Sequence, residues 1–314
     1  MLGKITDDVQ KLVVPFPRGG SVNCFFLRGD RGYTLVDTGL YSPQAVQLWE
    51  DVLASGIAIE RIVITHTHPD HIGMAGWLQK RLHVPIAMSR IGYETLQNMV
   101  REAQRLEHAD EELPHSFFIK HGGPTVSYKK MVTDMGALFI EPDMLFEDGQ
   151  QIPIGDGLFQ VVWTPGHARD EFCFYSPDSK VLIVGDHVLG DISPVILVHS
   201  DEDKNPLLDY FQSLERIVDC DARLVLTGHG EEIPDLRQRI ADIVHSHHVR
   251  MEQMMEILAE ERMSAGELSR LVYQNPHGTG NVLAQFQTTL ARLFYLESEG
   301  KVSRQELDGL VQWK

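Results

Sequence analysis

The sequence has little cysteine and no long apolar run, and these two shortages exclude several classes of protein. Only 3 cysteines occur among 314 residues, and no two of them form a Cys-x-x-Cys pair. Such a set predicts buried thiols in a reducing compartment and excludes a disulfide framework or a thiolate metal site. No window approaches about 18 apolar residues, and the first residues lack a basic start followed by an apolar stretch, so we predict neither a membrane span nor a signal peptide. The expected location is the cytoplasm.

Basic residues are also few. The chain carries 28 Lys and Arg residues against 45 Asp and Glu residues, a formal net charge of -17. A field of that sign repels phosphate backbones and anionic membranes. Nucleic acid is therefore disfavoured as a partner, no membrane partner is expected, and a small molecule is the expected substrate.

Against this background, residues 66–71 are rich in metal-ligand side chains. They read His-Thr-His-Pro-Asp-His and follow a short apolar run typical of a buried strand, so we predict that they lie on a loop between this strand and a helix. Imidazole and carboxylate suit zinc, and also iron or manganese. Because residues two apart in extended backbone project the same way, His66 and His68 can hold one ion while Asp70 and His71 point to a second. The alternative is a polar loop without a metal.

This motif resembles the His-x-His-x-Asp-His signature of the metallo-β-lactamase superfamily, and the family's other motifs follow. They are Leu35-Val36-Asp37-Thr38-Gly39, Thr164-Pro165-Gly166-His167, Val184-Gly185-Asp186 and Thr227-Gly228-His229-Gly230. The resemblance covers about residues 10 to 235 and implies an α/β fold, the four-layer αββα sandwich. It implies a first ion on His66, His68 and His167, a second ion on Asp70, His71 and His229, and Asp186 between them. It does not identify a substrate.

Such a ligand set predicts a dinuclear hydrolase. Two cations that share a water lower its pKa towards neutrality, so a metal-bridging hydroxide can attack a carbonyl or phosphoryl centre. We expect two divalent ions, zinc first, with iron or manganese as alternatives. Asp70 and Asp186 are the expected catalytic carboxylates. Asp37 is expected to hold a ligating histidine through its other ring nitrogen, the alternative being an Asx turn at Thr38 and Gly39.

Alternating strand and helix patterns in the first 90 residues predict helices on the outer faces of two facing sheets. Residues 91–140 then depart from this rhythm, with two helical patterns around a stretch rich in His and Phe. A helical insertion at this point resembles the substrate-covering elements of several superfamily members, and as a unit it is the best candidate for a wall of the substrate pocket. The alternative, which is favoured for any single residue, is an ordinary helical hairpin whose Met and Phe side chains complete a local core. The candidate substrate-binding residues are Phe118, His121 and Tyr128 in the insertion, and His187 next to Asp186.

The last part of the chain predicts a separate domain. Residues 1–235 form the expected catalytic domain, and residues 236–314 form a small, mainly helical domain that resembles a winged-helix module, with a terminal hairpin formed by 301–302 and 310–313. From residue 245 onward there are seven basic residues (Arg250, Arg262, Arg270, Arg292, Lys301, Arg304, Lys314) and nine acidic ones (Glu252, Glu256, Glu260, Glu261, Glu267, Glu297, Glu299, Glu306, Asp308). The resulting charge of about -2 gives no electrostatic footprint for DNA. We expect this domain to pack against the catalytic domain or to mediate a homodimer, and residues 277–280 could instead reach towards the active site.

Three functions follow from these observations. The leading one is hydrolysis of a small ester, thioester or lactone, which the resemblance to glyoxalase-II-like members favours. The second is a ribonuclease or phosphodiesterase, favoured by the winged-helix resemblance and opposed by the acidity. The third is a non-catalytic, metal-stabilised binding protein.

Overall fold

The computed structural model describes residues 2–17, 19–274 and 282–314. Within these ranges two sheets face each other and helices cover their outer faces, which confirms the expected four-layer sandwich. The histidine and glycine stretch at 277–280 lies outside the described residues. None of the described helices combines the length and the apolar character that crossing a bilayer requires.

The first sheet has seven strands that lie side by side in chain order. They are β1 (Gly3–Lys4), β2 (Val9–Pro15), β3 (Ser21–Arg28), β4 (Tyr33–Val36), β5 (Ile59–Val63), β6 (Ile86–Ser89) and β7 (Met144–Phe146). Neighbours from β1 to β4 are antiparallel, and neighbours from β4 to β7 are parallel. The helices of this half are α1 (Pro43–Ala54), α2 (Pro69–Ile72), α3 (Ala75–Leu82), α4 (Arg90–Arg105), α5 (Ser116–Lys120) and α6 (Tyr128–Gly136).

The second sheet has five strands in the order β12-β11-β10-β9-β8. They are β8 (Gln151–Ile154), β9 (Gly157–Trp163), β10 (Phe172–Ser176), β11 (Val181–Gly185) and β12 (Leu224–Thr227). Helix α7 (Pro206–Ile217) connects β11 to β12. The remaining elements are α8 (Leu236–Glu260), β13 (Met263–Ser264), α9 (Ala265–Tyr273), α10 (Val282–Ser298), β14 (Arg304–Leu307) and β15 (Leu310–Trp313).

Successive side chains of a strand point to opposite faces of the sheet, so the buried apolar side chains divide into three layers. In β5, Ile62 packs with the helices outside the first sheet, whereas Val63 faces the second sheet. In β11, Ile183 faces the first sheet, whereas Leu182 packs with the helices outside the second sheet. Because both faces of β11 are buried, its sequence contains no polar side chain.

The layer outside the second sheet extends into the C-terminal residues. Leu182 of β11, Leu214 of α7, Leu290 of α10 and Trp313 of β15 belong to one buried cluster. Phe118 of the insertion belongs to it as well. The C-terminal helices therefore pack against the second sheet and the insertion, and the predicted domain boundary at residue 235 stays a prediction.

Two local expectations were wrong, and one helix was not predicted. Residues 69–72 form α2 rather than loop, because a proline at the first helical position needs no hydrogen-bond acceptor for its nitrogen. The final hairpin uses Arg304–Leu307 instead of 301–302, because the Lys301 backbone N–H donates to Leu296 and so belongs to the end of α10. No helix is predicted over 206–217, yet Asn205 caps α7 there and a proline follows it.

Candidate metal centre

Four strand ends deliver the proposed ligands to one place. His66 and His68 follow β5, His167 follows β9, Asp186 follows β11 and His229 follows β12. β11 and β12 are parallel, and β9 runs in the same direction because both β9 and β11 are antiparallel to β10. Strands β9, β11 and β12 therefore all end at the same edge of the second sheet, opposite the end of β5.

Three histidines form a first group, as the resemblance implied. His66 Nε2 lies 2.9 Å from His68 Nδ1, and His167 Nε2 lies 3.0 Å from the same His68 atom. All three nitrogens lie within 4.8 Å of one another. Three imidazoles converge on one point, which is the arrangement of a three-ligand metal site.

Asp70, His71 and His229 form the second group, and their ligand atoms also lie within 4.8 Å of one another. His229 Nε2 is 3.4 Å from Asp70 Oδ2. Asp186 lies between the groups, because its Oδ2 is 3.1 Å from His229 Nε2 and 3.6 Å from His167 Nε2. Its Oδ1 is 3.4 Å from His71 Nε2. One carboxylate thus reaches ligand atoms of both groups.

These separations fit a divalent ion. Ligands at 2.0–2.1 Å from zinc in a tetrahedron are about 3.3 Å apart, close to the observed spacings. His71 Nε2 and Asp186 Oδ1 are buried and have no hydrogen-bond partner among the described residues. A buried polar atom without a partner is costly, and a bound cation would satisfy both atoms.

The backbone approaches this centre closely at Gly228. A Cβ at this position would lie 2.2 Å from Asp186 Oδ1 and 2.9 Å from His71 Cε1. No other residue fits without moving a ligand. Lack of space beside the metal site therefore explains why the Thr-Gly-His-Gly motif has a glycine at this position.

Hydrogen bonds fix the ring nitrogens that face the centre. His71 Nδ1 donates to Asp37 Oδ2 over 2.8 Å, His167 Nδ1 donates to the Val195 carbonyl over 2.7 Å, and His229 Nδ1 donates to the Ser21 carbonyl over 2.5 Å. Because carboxylate and carbonyl oxygens only accept, each of these rings carries a proton on Nδ1 and turns Nε2 towards the centre, where a metal can displace any proton on that nitrogen.

Asp37 holds two parts of the ligand loop at once. Its Oδ1 accepts from the Thr65 backbone N–H over 2.9 Å, and its Oδ2 accepts from the Thr65 hydroxyl over 2.9 Å and from His71. The Thr65 hydroxyl, having donated to Asp37, accepts from His66 Nδ1 at 3.0 Å. Asp37 adopts a left-handed backbone conformation with φ of 59°. It therefore orients His71 directly and His66 through Thr65.

The two groups differ in electrostatics. Burial lowers the pKa of His66, of His167 and of His68, the last to about 3, so these rings are neutral and ready to bind a metal. In the second group, burial also opposes charge, but hydrogen bonds to Asp186 and Asp70 raise the pKa of His229 to about 10. The carboxylates of the second group thus stabilise a positive charge.

Two acidic residues near the site were missed by the sequence reasoning. Asp170 Oδ2 accepts from the Thr67 backbone N–H over 2.9 Å, and Glu171 Oε1 accepts from the Asp186 backbone N–H over 2.7 Å. Both are buried, and burial raises the pKa of each. Asp170 thus supports the backbone of the ligand loop, and Glu171 supports the backbone of Asp186. The one signal in the sequence was an adjacent acidic pair directly before the apolar run 172–174.

Three of the four candidate substrate-binding residues lie near one another in the insertion. The His121 backbone N–H donates to the Phe118 carbonyl over 3.1 Å, and the His115 ring contacts the rings of both Phe118 and Tyr128. Phe118 is fully buried, stacks on His115 and packs against Phe286. His121 is fully buried against Trp313.

The other two candidates are also held by the protein. The Tyr128 hydroxyl donates to Glu102 over 3.3 Å. His187 is fully buried against Tyr210. The role of all four in substrate binding stays a prediction.

Comparisons with known proteins agree with this geometry. A model of the metallo-beta-lactamase superfamily matches residues 17–229. A probable metallo-hydrolase of Bacillus subtilis is 25% identical over 311 residues, which cover 95% of each chain. A beta-lactamase-like protein 2 homolog of Caenorhabditis elegans is 24% identical over 277 residues, 86% of this chain and 78% of the homolog. The crystal structure of a metallo-beta-lactamase family protein from Thermus thermophilus is 29% identical, covers 99% of both chains and superposes with a TM-score of 0.82.

Proposed function

Because this chain belongs to the metallo-beta-lactamase superfamily and is a metal-dependent hydrolase, we propose that it binds two zinc ions and hydrolyses a small ester, thioester or lactone. The observation that carries this proposal is the position of Asp186. Its two oxygens reach His71, His167 and His229 at 3.1 to 3.6 Å, so one carboxylate is shared by two complete three-residue groups. Iron or manganese would suit the same nitrogen and oxygen donors.

His66, His68 and His167 would hold the first ion, and Asp70, His71 and His229 would hold the second. When bound, two such ions supply a water of lowered pKa and polarise the bond to be cleaved. The residues of this chain fix the geometry. The Nδ1 hydrogen bonds of four rings (His66, His71, His167, His229) leave little freedom for the inward nitrogens.

The two carboxylates have different roles. The Asp186 side chain is 7% exposed and the Asp70 side chain is 25% exposed, so Asp70 is the one that faces an incoming substrate. Although burial opposes ionisation, His71 and His229 lower the pKa of Asp70 to about 2. Asp70 is therefore a ligand first and a weak base second.

Two considerations favour a carbonyl substrate over a phosphodiester. The net charge of -17 opposes a polyanionic substrate at long range. Relatives named beta-lactamase-like and lactamase-like also point to acyl chemistry. We place this activity in the cytoplasm, with a small molecule as the substrate.

A second candidate is phosphodiester cleavage. It is supported by the three-stranded sheet of β13, β15 and β14 beside α9, which resembles the wing of a winged-helix module. A non-catalytic binding protein is a weaker candidate, since the seven proposed ligands are all present and converge.

The decisive experiment is metal analysis of the purified protein, followed on the same sample by hydrolysis of a thioester, a lactone, a phenyl ester and a phosphodiester. We expect two equivalents of metal and turnover of a carbonyl substrate. Turnover of the phosphodiester alone would select the second candidate. Bound metal without turnover of any of these substrates would select the binding protein.

The Asp186→Asn variant tests the shared carboxylate. An amide offers one neutral oxygen to two groups, so we expect at least about a hundredfold loss of kcat, the usual scale for losing one stabilising group in an active site. Asp178→Asn is the matched control, because Asp178 is exposed in the turn between β10 and β11. Equal activity of the two variants would contradict the proposal.

A further inference from the structure

The segment 189–198, which we call the strap, joins the metal centre to the C-terminal helices. It follows Asp186 and precedes α7, and it contains no helix or strand. Ile196 and Val198 of the strap are nevertheless fully buried in the layer outside the second sheet. Buried backbone outside regular structure needs other hydrogen-bond partners.

Side chains of the C-terminal helices supply those partners. Arg239 of α8 donates to the carbonyls of Leu189, over 2.6 Å, and of Ile192, over 2.8 Å. Two residues of α10 hold the other end of the strap. Thr288 Oγ1 accepts from the Ile196 N–H over 3.3 Å, and Gln287 Nε2 donates to the Val198 carbonyl over 3.4 Å.

Between these contacts, the strap holds a metal ligand. The Val195 carbonyl accepts the hydrogen of His167 Nδ1 over 2.7 Å. The peptide unit that carries this carbonyl also carries the Ile196 N–H that Thr288 accepts. One rigid, planar unit thus bonds to His167 on one side and to α10 on the other.

The position of Thr288 on α10 supports a specific role. It is 6% exposed and lies on a helix whose other buried residues include Phe286, Leu290 and Leu293. A buried polar side chain is costly unless it is hydrogen-bonded. Thr288 has such a bond to the strap, which an apolar residue of the same shape could not make.

We propose that Thr288 is a positioning residue for the first metal site, acting through the peptide unit between Val195 and Ile196 on His167. This proposal rests on the proposed metal centre. It gives the C-terminal helices a role that needs neither nucleic acid nor a second subunit, since they complete the support of a ligand that lies more than 100 residues earlier in the chain.

The test compares two adjacent threonines. Thr288→Val keeps the shape and removes the acceptor for Ile196. Thr289→Val is the matched control, because Thr289 is also buried in α10 but its hydroxyl donates to the Gln285 carbonyl of its own helix. Metal-free protein is titrated with Zn²⁺ against a chromogenic chelator, and the Co²⁺-loaded protein is examined by absorption spectroscopy. Thermal unfolding of the metal-free variants provides a separate measure of stability.

Wild-type protein should bind two ions, and a His68→Ala variant identifies the affinity that belongs to the first site. We expect Thr288→Val to weaken that site by about tenfold, the lower end for residues that support a ligand, and to alter the Co²⁺ spectrum. Thr289→Val should leave both unchanged. Thr288→Ser keeps the hydroxyl and should restore both.

Two results would overturn the proposal. One is equal first-site affinity in Thr288→Val and Thr289→Val. The other is a loss in Thr288→Ser as large as in Thr288→Val, since this would tie the effect to packing. A wild-type protein that binds fewer than two ions would instead contradict the dinuclear proposal, so the two failures are distinguishable.

Discussion

Replacement of Asp37 by Asn should weaken the second metal site while leaving the fold intact. Asn tolerates the left-handed backbone conformation that Asp37 adopts, with φ of 59°, so the backbone gives no reason for a change. The side chain is the reason to expect a change in metal binding. Asp37 accepts from three donors, two on Thr65 and one on His71, and its amide replacement has one accepting oxygen and one donating nitrogen.

Neither orientation of the amide satisfies all the donors. If its nitrogen takes the Oδ1 position, it faces the Thr65 N–H. If it takes the Oδ2 position, it faces His71 Nδ1–H, and relief of that clash moves the histidine proton to Nε2, where it blocks the metal lone pair. Hydrogen bonds to charged groups contribute about 1.5–3 kcal/mol, and loss of a partner behind a ligating histidine reduces metal affinity by about 10–100-fold.

Asp170→Asn is the control for this experiment. Asp170 is buried beside the same loop, but its Oδ2 accepts from one backbone donor, Thr67, and so an amide oxygen can replace it. Zn²⁺ affinity of both variants is measured at pH 8 by chelator competition. Equally tight binding of the second ion in Asp37→Asn and Asp170→Asn would refute the role assigned to the Asp37 carboxylate.

Three further outcomes are expected. Asp186 and Asp70 raise the pKa of His229 to about 10, and carboxylates also raise the pKa of His71, so metal displaces protons at the second site. Second-site affinity should therefore rise by at least about tenfold per pH unit between about pH 7 and 9. Burial holds the pKa of His68 at about 3, so first-site affinity should stay flat in the same titration. Removal of metal by EDTA should abolish turnover and lower the melting temperature, since an ion at 100 times its Kd contributes about 2.7 kcal/mol; an unchanged calorimetric trace would argue against metal at this site. Ser264→Ala should cost about 1 kcal/mol in urea unfolding without changing metal affinity, because it breaks the reciprocal capping bonds with Glu267 at the start of α9.

The sequence predicts the sandwich well because its signals are local and repeated. Strands such as β11 are apolar on both faces, and the turns between them contain glycine or proline. The capping box at Ser264 likewise predicts the start of α9. Helix α7 shows the limit, because Asn205 and Pro206 signal its start only when the following apolar spacing is examined with them.

For the site, sequence motifs predict which residues converge but not what supports them. The first and second groups, together with Asp186, contain the seven residues named from the motifs. Asp170, Glu171 and Thr288 escape this reasoning because their partners are backbone N–H groups of distant segments. Nearly every residue carries the same backbone N–H group, so the sequence does not show which side chain binds a given one. Only the fold shows it. Phe118 and His121 are buried in contact with α10 and β15, which the composition of the insertion does not reveal, and their role in substrate binding stays a prediction.

The shared layer outside the second sheet has a consequence for how the protein is made. All seven ligands precede residue 230, yet Trp313, buried in that layer, is synthesised 84 residues after His229. At a translation rate of 5–20 residues per second, this interval lasts roughly 4 to 17 seconds. During it, the nascent chain contains all seven proposed ligands, but the strap that supports His167 still lacks its contacts with α10. The order of synthesis thus separates the appearance of the ligands from the completion of their support.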